Sequence, residues 1–181
     1  MPPASGLLSA PSEKPDADPL FSPVHIIAGM ALAKVVPGGE IPVFLTAVLS
    51  HLALDAVPHG DTGIGHWVDA SPDRKTKLTR LLSMSLADQL AALAVFFFLC
   101  ASPFFSSVPF SLLVVGAVGA MFPDYCTGIR DLCQNPPRLL EAIHRFHNRC
   151  HFRGRDLFSI RGGLIFQTLL VLSAIFFAWQ E

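Results

Sequence analysis

Charged residues are scarce in this sequence. They make up 15% of its 181 residues, and hydrophobic residues make up 51% with a mean hydropathy of +0.49. An average soluble domain carries about 25% charged residues. So little charge leaves too few groups for a surface in contact with water, and we expect a membrane protein. The formal net charge of -1 at pH 7 is far from the basic excess of nucleic-acid binders, so no nucleic-acid partner is expected.

Signatures of several protein classes are also missing. No serine lies in a nucleophile elbow and no glycine-rich phosphate loop is present, which argues against serine hydrolases of that type and nucleotide-binding proteins. The four cysteines form no Cys-x-x-Cys pair. We expect unpaired thiols, with a disulfide or metal ligation by Cys126 and Cys133 as the alternative. The first twenty residues do not place a basic segment before an apolar run, so no cleavable signal peptide is expected.

Apolar runs separated by proline, glycine and polar segments predict an all-α, multi-pass membrane bundle. Residues 1–21 are proline-rich and are expected to form a flexible tail, and residues 22–181 a single helical membrane domain. About five transmembrane helices are predicted, at residues 24–36, 41–57, 81–101, 109–122 and 162–179, with an amphipathic helix at 138–151. The first run reaches only about 20 Å, short of a hydrocarbon core of about 30 Å, so that helix is short or re-entrant.

Lysine and arginine are confined to two of the connections. Segments 59–80 and 124–161 hold every cation after Lys34, whereas segments 37–40 and 102–108 hold none. In an up-and-down path both basic segments fall on one side, and that side is cytoplasmic by the positive-inside rule. We therefore expect a protein of the bacterial inner membrane with the amphipathic helix in the cytoplasm.

Histidine and aspartate share this distribution. The second predicted helix ends in His51, Asp55, His59 and Asp61. The other members of the set lie on the same side: His25, Asp88, Asp124, His144, His147 and His151. The two non-cytoplasmic connections contain neither residue type. This one-sidedness predicts a functional site at the cytoplasmic face.

His51 and Asp55 are four residues apart and therefore share a helix face. An imidazole nitrogen and a carboxylate oxygen on one face can ligate the same cation. The turn after the helix can return His59 and Asp61 toward that face. The alternative is a polar helix end in contact with water, where Asp55 pairs with an arginine.

Asp88 lies inside an apolar run, where a carboxylate costs roughly 2.5 to 3.5 kcal/mol at the bilayer centre. Such a residue is expected to coordinate a metal or to pair with His51. The alternative is a structural hydrogen bond to a side chain on a neighbouring turn: Ser83, Ser85 or Gln89.

Asp124 follows an apolar run whose small residues, 116–120, permit close helix approach. It is a candidate ligand, with a water-facing carboxylate as the alternative. His25 follows Ser22, the expected N-cap, and the positive helix end favours the neutral imidazole that binds metals. His144 and His147 share a helical stripe, and a basic helix on an anionic membrane surface is the competing interpretation.

Four short motifs resemble the small membrane-bound, predicted metal-dependent hydrolases. They are His25 in an apolar helix, Ser-His-Leu-Ala-Leu-Asp at 50–55, Gly-x-x-Phe-Pro-Asp ending at Asp124, and His-Arg-Phe-His at 144–147. The resemblance implies a membrane helical fold with a metal-dependent hydrolytic site. The Ser-His-x-x-x-Asp element comes late in that family and early here, and the His-Arg motif is tighter, which points to a cousin with reordered motifs.

The combined prediction is a metal-dependent hydrolase at the cytoplasmic face, in contact with membrane lipid and acting on a phosphoester or lipid-linked substrate. One or two zinc, manganese or iron ions are expected, since the ligands are mixed nitrogen and oxygen. The predicted ligands are His25, His51, Asp55, His59, Asp124, His144 and His147.

Two further roles complete this prediction. Asp61 or Asp88 is expected to act as general base, and Arg145 and Arg149 to hold an anionic headgroup. The alternatives are an ion or proton carrier that uses the same cluster, and a structural or regulatory membrane protein.

Overall fold

The computed structural model describes residues 21–57, 68, 70–150 and 160–180, and within them the chain forms α-helices and no strand. The six helices are α1 (Ser22–Val35), α2 (Glu40–Asp55), α3 (Arg74–Cys100), α4 (Phe110–Leu132), α5 (Arg138–Cys150) and α6 (Ile160–Ala178). A 3-10 turn, Pro103–Phe105, joins α3 to α4. The all-α prediction is confirmed.

Helix α1 lies at the centre of the bundle and packs against α2, α3, α4 and α6. Two glycines make its crossing with α4 unusually close. A Cβ atom on Gly29 would lie 2.2 Å from the carbonyl oxygen of Gly116, and one on Gly116 would lie 2.3 Å from that of Gly29. The backbones are thus in contact, as small residues allow in membrane helices. On a second face of α4, a Cβ on Gly119 would lie 2.7 Å from the Phe44 carbonyl of α2.

Helix α3 begins earlier than predicted, at Arg74 rather than near residue 81. Asp73 is the N-cap, and its carboxylate accepts hydrogen bonds from the backbone amide and hydroxyl of Thr76, at 2.9 and 2.8 Å. These bonds favour the ionised form and lower the pKa of Asp73. The basic cluster predicted for a connection therefore occupies the first turns of a helix.

Helix α4 was predicted to end at Pro123, which is wrong. The helix continues through Pro123 to Leu132. Proline removes one amide donor from the helical ladder, and packing against neighbouring helices can offset that loss. Asp124 consequently lies inside α4 and is fixed by it.

Within the described part of the chain, two helices, α3 and α4, are long and apolar enough to cross a membrane. Helices α1 and α2 have 14 and 16 residues, below the roughly 20 needed for a full span. A row of large apolar side chains on α3 is 49–62% exposed, namely Leu82, Leu86, Leu90, Leu93 and Phe97. Soluble monomers rarely expose so large an apolar patch. Five spans remain a prediction.

Candidate metal centre

Five side chains from four helices meet at one end of the bundle and form the candidate site. They are His25 of α1, His51 and Asp55 of α2, Asp124 of α4 and His147 of α5. The three histidines and Asp55 are buried, and the side chain of Asp124 is 15% exposed. Polar groups buried this deeply need hydrogen-bond partners, and buried charges need a group of opposite charge or a metal ion.

Asp55 contacts all three histidines. Its Oδ1 lies 3.3 Å from Nε2 of His25, and its Oδ2 lies 3.0 Å from Nε2 of His51 and 2.7 Å from Nε2 of His147. The four-residue spacing in α2 places His51 and Asp55 on one face, as predicted. The other two contacts join residues distant in sequence.

Asp124 completes the cluster from α4. Its Oδ1 lies 3.4 Å from Nε2 of His51 and 3.7 Å from Nε2 of His147. Those two nitrogens are themselves 2.9 Å apart. The ring of His25 stacks on His51 with centroids 4.0 Å apart. Five of the seven ligands predicted for one site therefore lie together in one cluster.

Hydrogen bonds on the outer side of two rings orient their inner nitrogens. The Nδ1 of His51 is 2.6 Å from the Ala120 carbonyl, which only accepts, so Nδ1 carries the proton. The Nδ1 of His147 lies 3.3 Å from the Thr127 hydroxyl, which can accept in the same way. In the neutral imidazole this leaves Nε2 with a free lone pair, the arrangement found in metal-ligating histidines. The Nδ1 of His25 has no such partner among the described residues.

The distances fit a shared cation. Metal bonds of about 2.0 to 2.2 Å place neighbouring ligand atoms roughly 3 to 3.5 Å apart, and the inner atoms of the cluster are 2.7 to 3.7 Å apart. Two overlapping groups have ligand atoms within 4.8 Å of one another: His25, His51 and Asp55, and His51, Asp124 and His147. The site thus contains buried groups at metal-binding distance.

Asp88 has a partner that the sequence did not predict. Its carboxylate accepts from the backbone amide of Ser22, at 3.1 Å, and from the Ser22 hydroxyl. Gln89 donates to the same hydroxyl at 2.9 Å and accepts from the phenol of Tyr125 at 2.8 Å. The first helical residue of α1 is Ser22, and Phe21 is the N-cap. The carboxylate of α3 therefore caps α1 one turn before His25.

The remaining predicted residues lie around this cluster or outside the described part of the chain. His144 is buried, and its Nε2 lies 3.0 Å from the amide nitrogen of Asn148. It belongs to neither ligand group found among the described residues. Arg145 and Arg149 are exposed on the outer side of α5. His59 and Asp61 lie outside the described residues, and their roles stay predictions.

A polar contact at the α4–α5 corner helps to return His147 to the site. Arg130, near the end of α4, donates from Nε to Glu141 of α5 at 3.0 Å, and from a terminal nitrogen to Asp131 at 2.7 Å. Both acidic partners are about one third exposed, so solvent weakens these pairs. Of the two pairs, only Arg130–Glu141 joins α4 to α5.

Sequence reasoning missed the groups that orient the histidines. The Ala120 carbonyl is a backbone atom, and no residue type identifies it. Thr127 did leave a signal, because it lies three residues after Asp124 and so shares its helix face. That signal was hidden by the expectation that α4 ends at Pro123.

The chain matches no protein-family model, no curated protein and no solved structure. Its function has to be inferred from the side chains themselves. Three imidazoles and two carboxylates, mostly buried and converging on one point, are the chemistry from which that inference starts.

Proposed function

We propose that this protein is a membrane-embedded, metal-dependent hydrolase that acts on a phosphoester or lipid-linked substrate. The observation that carries the proposal is the position of Asp55, within 3.3 Å of three imidazole nitrogens. His51 presents its inner nitrogen as a ligand because its outer nitrogen donates to the Ala120 carbonyl. His147 can do the same when its outer nitrogen donates to the Thr127 hydroxyl. One divalent cation can bind the carboxylate and several imidazole nitrogens at once. A proton can be shared by only one carboxylate–imidazole pair at a time.

The ligand set narrows the choice of metal. Imidazole and carboxylate together suit zinc, manganese or iron, and the two overlapping ligand groups support one or two ions. A bound ion of this kind supplies hydroxide near neutral pH by lowering the pKa of its water to about 7. Asp124 is the one partly exposed member of the cluster, so water and substrate reach the site on its side.

A general base is the second requirement of hydrolysis. Asp61 and Asp88 are the candidates. The carboxylate of Asp88 accepts hydrogen bonds from the amide and hydroxyl of Ser22, which lies one turn before His25 on α1. To accept a proton from water, Asp88 would have to release one of these hydrogen bonds. Arg145 and Arg149 are exposed on α5, where their guanidinium groups can hold an anionic group of the substrate.

Charge and helix length support a cytoplasmic site. At 1.5 Å per residue the 27 residues of α3 span about 40 Å, longer than a hydrocarbon core of about 30 Å. Its charged first turns would take up this excess, at the end where the candidate site lies. Those turns carry Arg74, Lys75, Lys77 and Arg80, and such a cluster favours the cytoplasmic side of a bacterial inner membrane.

Metal analysis tests the proposal. The detergent-purified protein is analysed by elemental mass spectrometry beside the double variant His51→Ala/Asp55→Ala and the control Glu40→Gln, an exposed acidic residue at the other end of α2. We expect stoichiometric metal in the wild type and control and none in the double variant. Phosphoester and lipid hydrolysis is then measured on the loaded protein.

A wild-type protein that takes up no metal, either in purification without chelator or on reloading, would overturn the proposal. The carrier and the structural or regulatory role would then be the remaining candidates. Metal that stays bound in the double variant would place it away from Asp55 and would also contradict the proposal.

A further inference from the structure

An apolar groove of about 340 Å³ lies between α2, α4 and α5, directly beside the candidate site. Seven apolar residues and one histidine line it: Val48, Leu52, Phe122, Pro123, Ala142, Ile143, Phe146 and His147. His147 is also the residue whose Nε2 lies 2.7 Å from Asp55. The groove is therefore apolar along its length, and the buried ring of His147 connects its wall to the site.

The walls determine what the groove can hold. Apart from His147, the lining side chains offer no donor or acceptor, so a polar ligand would lose its hydrogen bonds to water without replacing them. The part of an occupant that lies in the groove therefore has to be apolar, and any polar group it carries has to lie outside. A hydrocarbon chain attached to a polar headgroup has this character.

The groove opens toward the apolar outer surface of the protein. Val48 and Leu52 continue a single stripe of α2 that includes Ile41 and Leu45, which are 74% and 55% exposed. Phe122, on the opposite wall, is 39% exposed. If α4 spans the membrane, a lipid chain can pass sideways from the bilayer into the groove without crossing water.

Cations lie along the α5 edge of the groove. Phe146, which is 57% exposed, lines the groove, and Arg145 and Arg149 precede and follow it on the exposed side of the helix. Residues three apart on a helix are neighbours, so Arg149 lies beside Phe146. Guanidinium groups bind phosphate through paired hydrogen bonds.

From the lining, the opening and this cationic edge, we propose that the substrate is a phosphate-containing membrane lipid. One of its hydrocarbon chains lies in the groove, and its headgroup ester lies outside the groove, on the partly exposed Asp124 side of the site. This inference rests on the proposed function. Hydrolysis would form a bond between a water oxygen and phosphorus, break the ester P–O bond, and transfer one water proton to the leaving oxygen.

Photo-cross-linking tests the groove. The probe is phosphatidic acid with a diazirine in its acyl chain, added in detergent at a concentration that leaves most binding sites empty. Two variants, Leu52→Trp on the α2 wall and Ala142→Phe on the α5 wall, each add an aromatic ring that fills part of the groove. Leu86→Trp, on the exposed face of α3, is the control for added aromatic bulk. The metal content of every sample is measured in parallel.

We expect cross-links at Val48, Phe122 and Phe146 in the wild type and control, and about tenfold fewer in the two groove variants, the ratio that a tenfold weaker affinity produces at limiting probe. Metal content should not change. Excess glycerol phosphate should not displace the probe, because it has no chain to bury.

Cross-links spread over the outer faces of α2 and α3 in every variant would overturn the lipid site, as would displacement by glycerol phosphate. Groove-specific cross-links on a wild-type protein that takes up no metal would support the lipid site and overturn the hydrolase. Metal without groove-specific cross-links would leave the metal site intact and remove this substrate class.

Discussion

At Asp55, each carboxylate oxygen faces at least one imidazole nitrogen, and the side chain is fully buried. A buried carboxylate is costly unless it is paired and hydrogen-bonded. The local part of this arrangement was predicted, since helical spacing alone brings His51 to Asp55. For His25 and His147, the sequence predicted a place in the same site but not a contact with Asp55. His147 and Asp55 are 92 residues apart, and no local rule links them.

Thr127 provides a test of metal binding that leaves every ligand in place. Thr127→Val removes the hydroxyl 3.3 Å from Nδ1 of His147. Loss of such an outer partner typically weakens metal binding by about 10- to 100-fold, and we expect a decrease of that size in competition titrations against a chelator.

The matched control is Thr46→Val, whose hydroxyl bonds the Pro42 carbonyl of its own helix at 2.7 Å. Its metal affinity should equal that of the wild type. Equal affinities in both threonine variants would show that His147 is not a ligand through Nε2.

Asp88 can be assigned to structure or catalysis by comparing two substitutions. Asp88→Ala leaves the amide and hydroxyl of Ser22 without their acceptor, a loss of about 1 to 3 kcal/mol for buried groups. We expect a lower thermal midpoint in detergent and weaker metal binding through displacement of His25. Asp88→Asn keeps an acceptor oxygen and should restore most of both properties.

Hydrolysis by Asp88→Asn then separates the two roles. An inactive variant with normal metal content and thermal midpoint would identify Asp88 as the general base. Normal activity would assign it to positioning of α1 alone. No local sequence pattern indicates this contact, because it joins residues 66 apart and depends on how α1 and α3 pack.

Of the helix pairs that meet at a glycine, α1 and α4 have the shortest distance between their backbones. In Gly116→Ala the new Cβ would lie 2.3 Å from the Gly29 carbonyl oxygen, so the backbones have to separate. Overpacking of this kind costs about 1 to 3 kcal/mol. We expect a lower thermal midpoint, together with weaker metal binding because His25 moves with α1.

Gly128→Ala is the control on the same helix, because a Cβ there meets nothing within 4 Å. It should be neutral or stabilise the helix by up to about 1 kcal/mol through greater helix propensity. Equal thermal midpoints in the two variants would contradict the close crossing of α1 and α4.

Helix ends show where local sequence rules fail. Helices α1, α2, α5 and α6 begin and end within two residues of their predicted positions. Pro37 follows α1 and the Pro136-Pro137 pair precedes α5, so these prolines mark real breaks. Pro123 has the same chemistry but lies inside α4. Its neighbours Gly119 and Ala120 pack against α2 and α1, and such tertiary packing cannot be inferred from a single proline.

At the scale of the whole molecule, thiol labelling tests whether α4 crosses the membrane and in which direction. Cys133 is exposed just after α4 at the end near the site, and Ser107 is exposed just before α4 at the other end. In chains whose other cysteines are replaced by serine, a membrane-impermeant maleimide should label Cys133 only in inside-out vesicles. It should label Ser107→Cys only in right-side-out vesicles.

Labelling of both positions from one side would show that α4 does not cross the membrane.

The helical class and the one-sided site could be predicted from composition and charge, because both depend on sums over many residues. The number of spans could not, because a run of 13 to 17 apolar residues suits a short helix buried in the bundle as well as a tilted span.

The ligands of the candidate site are spread along most of the chain, from His25 on α1 to His147 on α5. Chains are synthesised from the N-terminus, and domains fold as their segments appear. His25, His51 and Asp55 are therefore synthesised well before His147. If the cluster holds the proposed metal, the bundle would begin to assemble with an incomplete set of ligands, and metal uptake would be a late step of biogenesis. A folded chain that then gained metal would be stabilised in proportion to the logarithm of the free ion concentration, which would couple the lifetime of the protein to the metal supply of the cell.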